Sequence, residues 1–274
     1  NYRPRLKTLE KNDGIRYNSR LRRTENRFPQ KQKTSRRIFG SERTEKMDIY
    51  GLQKLTLLDF PGRTACIVFT GGCSFRCPFC YNSSLVDKSA PSLSEKDVLD
   101  YLSERRKLLD GVCVTGGEPT LNADLPDFLR KIKALGLQTK LDTNGASPSA
   151  IKALIDDNLL DYVATDIKNS PEKYSLTAGC AVDTDKIALT ARIIRNSGIE
   201  FEFRTTVTEE LHEESDFDAI GKWLGGKGKY FLQAVTDNGE LLSGKSFHAP
   251  SSEKLGKYAG LLRNYGFDAS VRKA

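Results

Sequence analysis

From residue 47 onward, apolar runs of strand length alternate with longer stretches in which apolar residues recur at helical spacing. After a leading strand or hairpin at 48–58, this pattern predicts strands at 64–69, 111–115, 138–142, 161–166, 200–206, 229–234 and 268–272. It predicts helices at 94–108, 122–135, 148–158, 184–197, 215–225 and 252–264. Ser94 and Asn122 are the expected N-caps of the first two. Six strand–helix units in succession predict a parallel α/β architecture, and periodicity alone leaves open whether its sheet closes into a barrel.

Polar clusters follow the carboxyl ends of consecutive predicted strands. In chain order they are a cysteine-containing loop at 72–82, then 116–120, 142–145, 166–168, 204–206 and Gln233. Barrel-type α/β folds place their active sites at this face of the sheet. The sequence therefore predicts one polar site, built from the ends of several strands.

The loop at 72–82 carries three cysteines in a Cys-x3-Cys-x2-Cys arrangement, Cys73, Cys77 and Cys80. A structural zinc site takes four protein ligands, and a simple electron-transfer iron–sulfur cluster takes four cysteines. The next cysteine is Cys113, and both histidines lie beyond residue 200. Three thiolates on a four-iron cluster would leave one iron open for chemistry. A zinc knuckle that recruits Cys113 is the alternative.

With Phe79 directly before its last cysteine, the triplet resembles the Cys-x3-Cys-x-aromatic-Cys signature of the radical S-adenosylmethionine (SAM) enzymes. The resemblance implies a partial (β/α)6 barrel and a 4Fe-4S cluster held by the three cysteines. It also implies that the amino and carboxylate groups of SAM chelate the open iron.

The stretch Gly116, Gly117, Glu118 and Pro119 is similar to the second motif of the same family, which binds the methionyl amine of SAM. The two glycines permit a close backbone approach, and Glu118 offers an acceptor for an ammonium group. Taken alone, the stretch is also typical of a turn between a strand and a helix.

The strand ends at 141–145 (Leu-Asp-Thr-Asn-Gly) and 166–168 (Asp-Ile-Lys) resemble those of the glycyl-radical-enzyme activases, the pyruvate formate-lyase type in particular. The resemblance implies that Asp142, Thr143 and Asp166 help to bind SAM and a monovalent cation, and that Lys168 lies near SAM or a peptide substrate. It also implies that Arg204 pairs with the SAM carboxylate or ribose, because a guanidinium fork suits a carboxylate. Alternatively, these aspartates cap the helices that follow.

Residues 51–62 and 82–86 look like the activating proteins of anaerobic ribonucleoside-triphosphate reductase, although Tyr81 stands where such proteins often have histidine. The resemblance covers residues 47–274. It implies reductive cleavage of SAM, abstraction of a glycine Cα hydrogen from a partner glycyl radical enzyme, and flavodoxin or ferredoxin as electron donor. Three alternatives stay open: activation of another such enzyme, for example pyruvate formate-lyase; a small-molecule enzyme of the 7-carboxy-7-deazaguanine synthase type; and a non-catalytic zinc or nucleic-acid-binding protein.

Composition separates the leading segment from the rest. The 274 residues carry a net charge of +7, but residues 1–46 hold 15 Lys+Arg against 5 Asp+Glu, and the remainder holds 28 against 31. Residues 1–46 lack apolar periodicity and are predicted to be disordered and outside the working domain at 47–274. A basic arm for nucleic acid is the less favoured interpretation.

Cysteine usage and local polarity predict the cellular compartment and the burial of the remaining cysteine, tryptophan and histidine side chains. Six cysteines without an apolar signal segment or a membrane-length run predict a cytoplasmic protein with reduced thiols. Cys66, Cys113 and Trp223 are expected in the core, and His212 and His248 on the surface.

Overall fold

The computed structural model describes residues 47–237, 239 and 241–272, so the predicted disorder of residues 1–46 lies outside the described residues. One eight-stranded sheet runs in sequence order through this part of the chain. Its strands are β1 (Ile49–Thr56), β2 (Ala65–Thr70), β3 (Gly111–Gly116), β4 (Gln138–Thr143), β5 (Tyr162–Asp166), β6 (Glu200–Val207), β7 (Lys229–Ala234) and β8 (Asp268–Val271). β1 is antiparallel to β2, and every later neighbouring pair is parallel.

Helices connect the parallel strands, as the alternating pattern predicts. They are α1 (Ser83–Val86), α2 (Glu95–Arg105), α3 (Leu125–Ala134), α4 (Pro148–Asp156), α5 (Tyr174–Ala178), α6 (Thr184–Asn196), α7 (Glu214–Leu224) and α8 (Ser252–Asn264), with a 3-10 turn at Pro119–Leu121. The six longer helices of this set were expected. α1 and α5 were not, because four or five residues are too few to reveal a helical period. With β1 and β8 as its two edges, the sheet forms the predicted partial barrel.

The predicted N-cap at Asn122 is wrong. Asn122 ends the 3-10 turn, where its backbone N–H donates to the Pro119 carbonyl at 3.0 Å, and α3 begins only after Asp124. The reason is Pro126, which lies in the first turn of α3, where a missing N–H costs nothing. Ser94 does precede α2, as predicted.

The two faces of the sheet differ in polarity. Residues such as Val68, Val114 and Leu141 pack with helix residues in the apolar core. The alternate positions, which point to the opposite face, carry Lys140 and Asp142 on β4. Asp166 on β5 and Glu202 and Arg204 on β6 lie on the same inner face. The apolar core therefore lies outside the barrel, and a polar layer lies within it.

The amino-terminal end of the barrel interior is filled by side chains. Phe60, Ala65 and Tyr162 form a small buried cluster, in which the two rings meet edge to face at 5.9 Å. The Tyr162 hydroxyl donates to Glu202 at 2.8 Å, and Arg272 pairs with the same carboxylate at 3.1 Å. No helix in the described part of the chain is long and apolar enough to cross a membrane.

Candidate active site

The cysteine loop follows β2 and is folded by its own backbone. The Cys80 N–H donates to the Cys77 carbonyl at 3.0 Å, and the Phe75 N–H donates to the Cys73 thiol at 3.4 Å. The Arg76 guanidinium donates to the carbonyls of Cys73 and Phe75 at 2.5 and 2.8 Å. Cys77 is buried, while Cys73 and Cys80 are half-buried. These bonds fix the positions of the three thiols relative to one another.

Two short segments brace this loop from outside. The Arg76 N–H donates to the Ala178 carbonyl of α5 at 2.8 Å. On the other side, the Leu242 N–H donates to the Cys80 carbonyl at 2.9 Å, and Phe79 packs edge-on against Phe247. Phe79 therefore belongs to the packing that encloses the loop.

The thiols have the chemistry that a metal cluster requires. Burial raises the pKa of Cys73, and it raises the pKa of Cys77 to about 12. Metal binding would therefore have to displace thiol protons, and all six cysteines are free of disulfides. Three thiols on one enclosed loop fit a 4Fe-4S cluster, in which each cysteine binds a different iron atom.

The zinc alternative lacks a gathered ligand set. No three Cys, His, Asp or Glu side chains within the described ranges converge on a single metal ion. Cys113 lies in β3, and its thiol accepts a hydrogen bond from the Lys140 ammonium at 3.7 Å. It is buried, as predicted for a core cysteine.

Gly116 and Gly117 permit a close backbone approach, but the partners are the end of β2 and the start of the cysteine loop. A Cβ on Gly117 would lie 1.9 Å from the Gly72 carbonyl oxygen, and one on Gly116 would lie 2.3 Å from the Thr70 carbonyl oxygen. The Gly117 N–H donates to the Thr70 carbonyl at 2.9 Å, and the Glu118 N–H donates to the Gly72 carbonyl at 2.7 Å. The glycine motif thus joins the end of β3 to the cysteine loop.

We expect Gly117→Ala to displace the loop, because its methyl group cannot coexist with the Gly72 carbonyl. Overpacking of this kind costs about 1–3 kcal/mol of unfolding free energy, and the iron content after reconstitution should fall with it. Gly260→Ala in α8 is the matched control, since nothing lies within 4 Å of its Cβ and alanine favours helices. Equal iron content in both variants would contradict this prediction. Chemical denaturation and iron assay provide the measurements.

Glu118 is buried and ties β3 to β4. Its Oε1 accepts from the Thr143 hydroxyl at 2.8 Å and from the Thr120 hydroxyl at 2.5 Å, and its Oε2 accepts from the Asn144 N–H at 2.7 Å. Burial raises the pKa of Glu118, although these hydrogen bonds oppose the rise. The Asn144 side chain donates in turn to the Ser74 hydroxyl at 3.1 Å, which links the end of β4 to the cysteine loop. The sequence interpretation assigned no role to Asn144 or Ser74.

A row of alternating charges crosses the inner face of β4, β6 and β5. Lys140 donates to one oxygen of Asp142, and Arg204 donates to the other at 3.0 Å. Arg204 also donates to Asp166 at 2.9 Å, and Lys168 reaches the second oxygen of Asp166 at 3.1 Å. The structure therefore brings together every charged residue predicted after β4, β5 and β6, and it adds Lys140.

This row holds both carboxylates ionised. Burial by itself raises the pKa of Asp142, but Arg204 and Lys140 outweigh it, so its pKa lies below the ordinary value. The same balance, with Arg204 and Lys168, lowers the pKa of Asp166.

The residues expected to bind a monovalent cation all contact protein groups. Each oxygen of Asp142 and of Asp166 accepts from an arginine or a lysine, and the Thr143 hydroxyl donates to Glu118. Arg204, expected to pair with SAM, pairs with the two aspartates. The ammonium and guanidinium groups of the chain thus supply the positive charge at this place.

The predicted surface position of His212 is wrong. It is 5% exposed, its Nδ1 accepts from the Thr208 N–H at 3.1 Å, and its Nε2 donates to the Lys168 carbonyl at 2.9 Å. The charged residues around it suggested a solvated helix, but His212 precedes α7 in a turn and stacks on Phe217. His248 is exposed, as predicted, and Trp223 is only half-buried.

A partial barrel with an enclosed three-cysteine loop and a charged inner layer defines an enzyme built around an iron–sulfur cofactor. The Radical SAM superfamily matches residues 67–219, more than half of the chain, so the chain belongs to this superfamily. It is a radical SAM enzyme, whose cofactors are a 4Fe-4S cluster and SAM. The predictions of family, fold and these two cofactors are confirmed.

Individual relatives extend the comparison. A Methanocaldococcus jannaschii protein provisionally named glycyl-radical enzyme activating enzyme is 29% identical over 193 residues, 68% of this chain and 78% of its own length. The anaerobic ribonucleoside-triphosphate reductase-activating protein of Escherichia coli is 28% identical over 93 residues, 32% of this chain and 60% of its own. A radical SAM methyltransferase from Sphaerobacter thermophilus shares the fold, with a TM-score of 0.63 and 17% identity over 80% of this chain and 68% of its own.

Proposed function

We propose that this protein activates a glycyl radical enzyme, and that anaerobic ribonucleoside-triphosphate reductase is the class of partner. The observation that carries the proposal is the 29% identity, over 68% of the chain, to a protein named as such an activating enzyme. The Escherichia coli relative and the resemblance of residues 51–62 support the choice of partner.

Cys73, Cys77 and Cys80 would hold the 4Fe-4S cluster. When bound, this cluster supplies the electron that cleaves SAM, and SAM supplies the radical that abstracts the glycine hydrogen. The protein itself would orient the cluster and SAM and enclose them. The packing of Phe79 against Phe247 covers one side of the cysteine loop, and the 116–119 turn holds that loop against β3.

The charged row would form the floor of the SAM site. Asp142, Asp166 and Arg204 are held rigid by one another, and a rigid floor lowers the cost of orienting a ligand. Lys168 ends the row and carries a positive charge suited to a ligand carboxylate. Its ammonium is fixed by Asp166 and stays protonated, because the neighbouring acid raises the pKa of Lys168 despite burial.

The surface favours a protein substrate over a small molecule. Within the stretch at 51–62, Leu55, Leu57 and Leu58 are 57%, 68% and 82% exposed, and Tyr81 within the cysteine loop is 57% exposed. Exposed apolar side chains close together mark protein interaction sites more often than ordinary surface. A second protein, flavodoxin or ferredoxin, would supply the electron.

The test combines the anaerobically reconstituted protein with SAM, dithionite and a candidate partner. We expect the glycyl-radical doublet in electron spin resonance with anaerobic ribonucleotide reductase, together with one 5′-deoxyadenosine per radical formed. A partner variant whose radical glycine is alanine is the control. A doublet with pyruvate formate-lyase alone would change the partner, and 5′-deoxyadenosine formed only with an added small molecule would overturn the proposal.

A further inference from the structure

Lys140 is a buried charge that no motif accounts for. Its side chain is 1% exposed, and lysine is almost never fully buried unless it is paired. Its ammonium contacts the Asp142 carboxylate and the Cys113 thiol, and it lies 5.7 Å from the centre of the Tyr162 ring. Asp142 is thus its one ionised partner among these contacts.

Two cationic side chains, Lys140 and Arg204, share the Asp142 carboxylate. Lys140 lies on the same strand and the same face as Asp142, two residues nearer the filled end of the barrel. It occupies one carboxylate oxygen, which leaves the other to Arg204. Arg204 can therefore share its guanidinium between Asp142 and Asp166, at 3.0 and 2.9 Å.

We propose that Lys140 is a positioning residue for SAM binding: its ammonium is a built-in counter-cation that fixes Asp142 and Arg204, so that the site needs no dissolved monovalent cation. Without it, the Asp142 oxygen that Lys140 contacts would lose its hydrogen-bond partner among the described side chains. Such an oxygen must acquire a proton, a dissolved cation or a larger share of Arg204. Each of these outcomes changes the floor of the SAM site.

The electrostatic surroundings agree with this role. Burial alone lowers the pKa of Lys140, but the Asp142 carboxylate outweighs it, so the pKa lies above its ordinary value and the lysine remains charged. The groups that face Asp142 are Lys140, Arg204 and, more distantly, Asp166. Removal of Lys140 leaves Arg204 as the single cation facing two carboxylates, so the pKa of Asp142 should rise.

SAM affinity of the cluster-loaded protein tests the proposal without any partner enzyme, so it is independent of the proposed activase function. The wild-type dissociation constant for SAM should be the same in potassium, sodium and choline chloride. Lys140→Ala should bind SAM about tenfold more weakly in choline, a loss of about 1.4 kcal/mol. Ammonium or potassium ions, which fit the vacated space, should restore most of that affinity.

Lys140→Met separates charge from volume. It fills the space without a charge, so its affinity should stay low in every salt and should fall further from pH 7 to pH 5, whereas the wild type stays constant. Lys152→Ala, which removes an exposed ion pair on α4, should bind SAM like the wild type. Cation dependence in the wild type, or wild-type affinity in Lys140→Met, would overturn the proposal. If Lys140→Ala does not fold, these two measurements still decide it.

Discussion

Cys77→Ala is expected to abolish SAM cleavage, lowering the rate by more than about a thousandfold, as the loss of an essential active-site group does. Cys77 is the middle and most buried thiol of the triplet, and its removal leaves two half-buried thiols on the loop. Two ligands would not retain a 4Fe-4S cluster that proteins hold with three or four. The measurements are iron content, visible absorbance after anaerobic reconstitution, and 5′-deoxyadenosine formed under dithionite.

Cys180→Ala is the control for this variant. Cys180 lies beside the loop, where its thiol donates to the Ser74 carbonyl at 3.5 Å, but it stands outside the Cys-x3-Cys-x2-Cys spacing. It should keep its iron and its SAM cleavage. Loss of iron in Cys180→Ala with retention in Cys77→Ala would show that the ligand set is misassigned.

The sequence predicted the elements of the fold well because each parallel strand is a short apolar run followed by an amphipathic helix. The predicted helix 252–264 coincides with α8, and the predicted strand 229–234 coincides with β7. Predicted helix boundaries were wrong where a local feature overrides the helical period. At α3, Pro126 and not Asn122 fixes the start of the helix. Periodicity is also silent for α5, which nevertheless braces the cysteine loop.

The sequence predicted which charged residues come together at the strand ends, but not their contacts. Motif resemblance found Glu118 and Arg204, yet it could not indicate that their charged groups are already bound by protein partners. Most of those partners come from neighbouring strands, and the parallel register places them at hydrogen-bonding distance. Lys140 was missed because a lysine in a strand is ordinarily expected to face solvent. His212 was missed for the same reason, since burial of a polar ring depends on tertiary hydrogen bonds.

Arg204→Met should destabilise the protein more than any other change within the charged row. Its guanidinium is the only group that contacts both Asp142 and Asp166 in that row. Removal of one partner from a buried ion pair costs about 3–5 kcal/mol. Methionine keeps the apolar stem but lacks the guanidinium, so the loss combines electrostatics with a small cavity, and only the electrostatic part depends on pH. Chemical denaturation at pH 7 measures it.

The pH dependence of that loss identifies its cause. Both aspartates have a pKa below the ordinary value of about 3.9. Their pairing therefore stabilises the parent above that value, and this stabilisation is lost as the pH falls through the lower, folded-state pKa. In Arg204→Met the pKa of each carboxyl should rise. The deficit against the parent should be full at pH 7 and should shrink towards pH 4, because a protonated carboxyl no longer requires a cation.

Arg130→Met is the matched surface control, because Arg130 also bridges two aspartates, Asp127 and Asp157, but is 50% exposed. Exposed pairs contribute about 0–1 kcal/mol, so this variant should unfold almost like the parent at every pH. A similarly small, pH-independent loss in Arg204→Met would mean that water reaches the inner layer of the barrel and screens its charges. The row would then be unable to serve as a rigid floor for SAM, and the restraint on the ligand would have to come from the cysteine loop and the 116–119 turn alone.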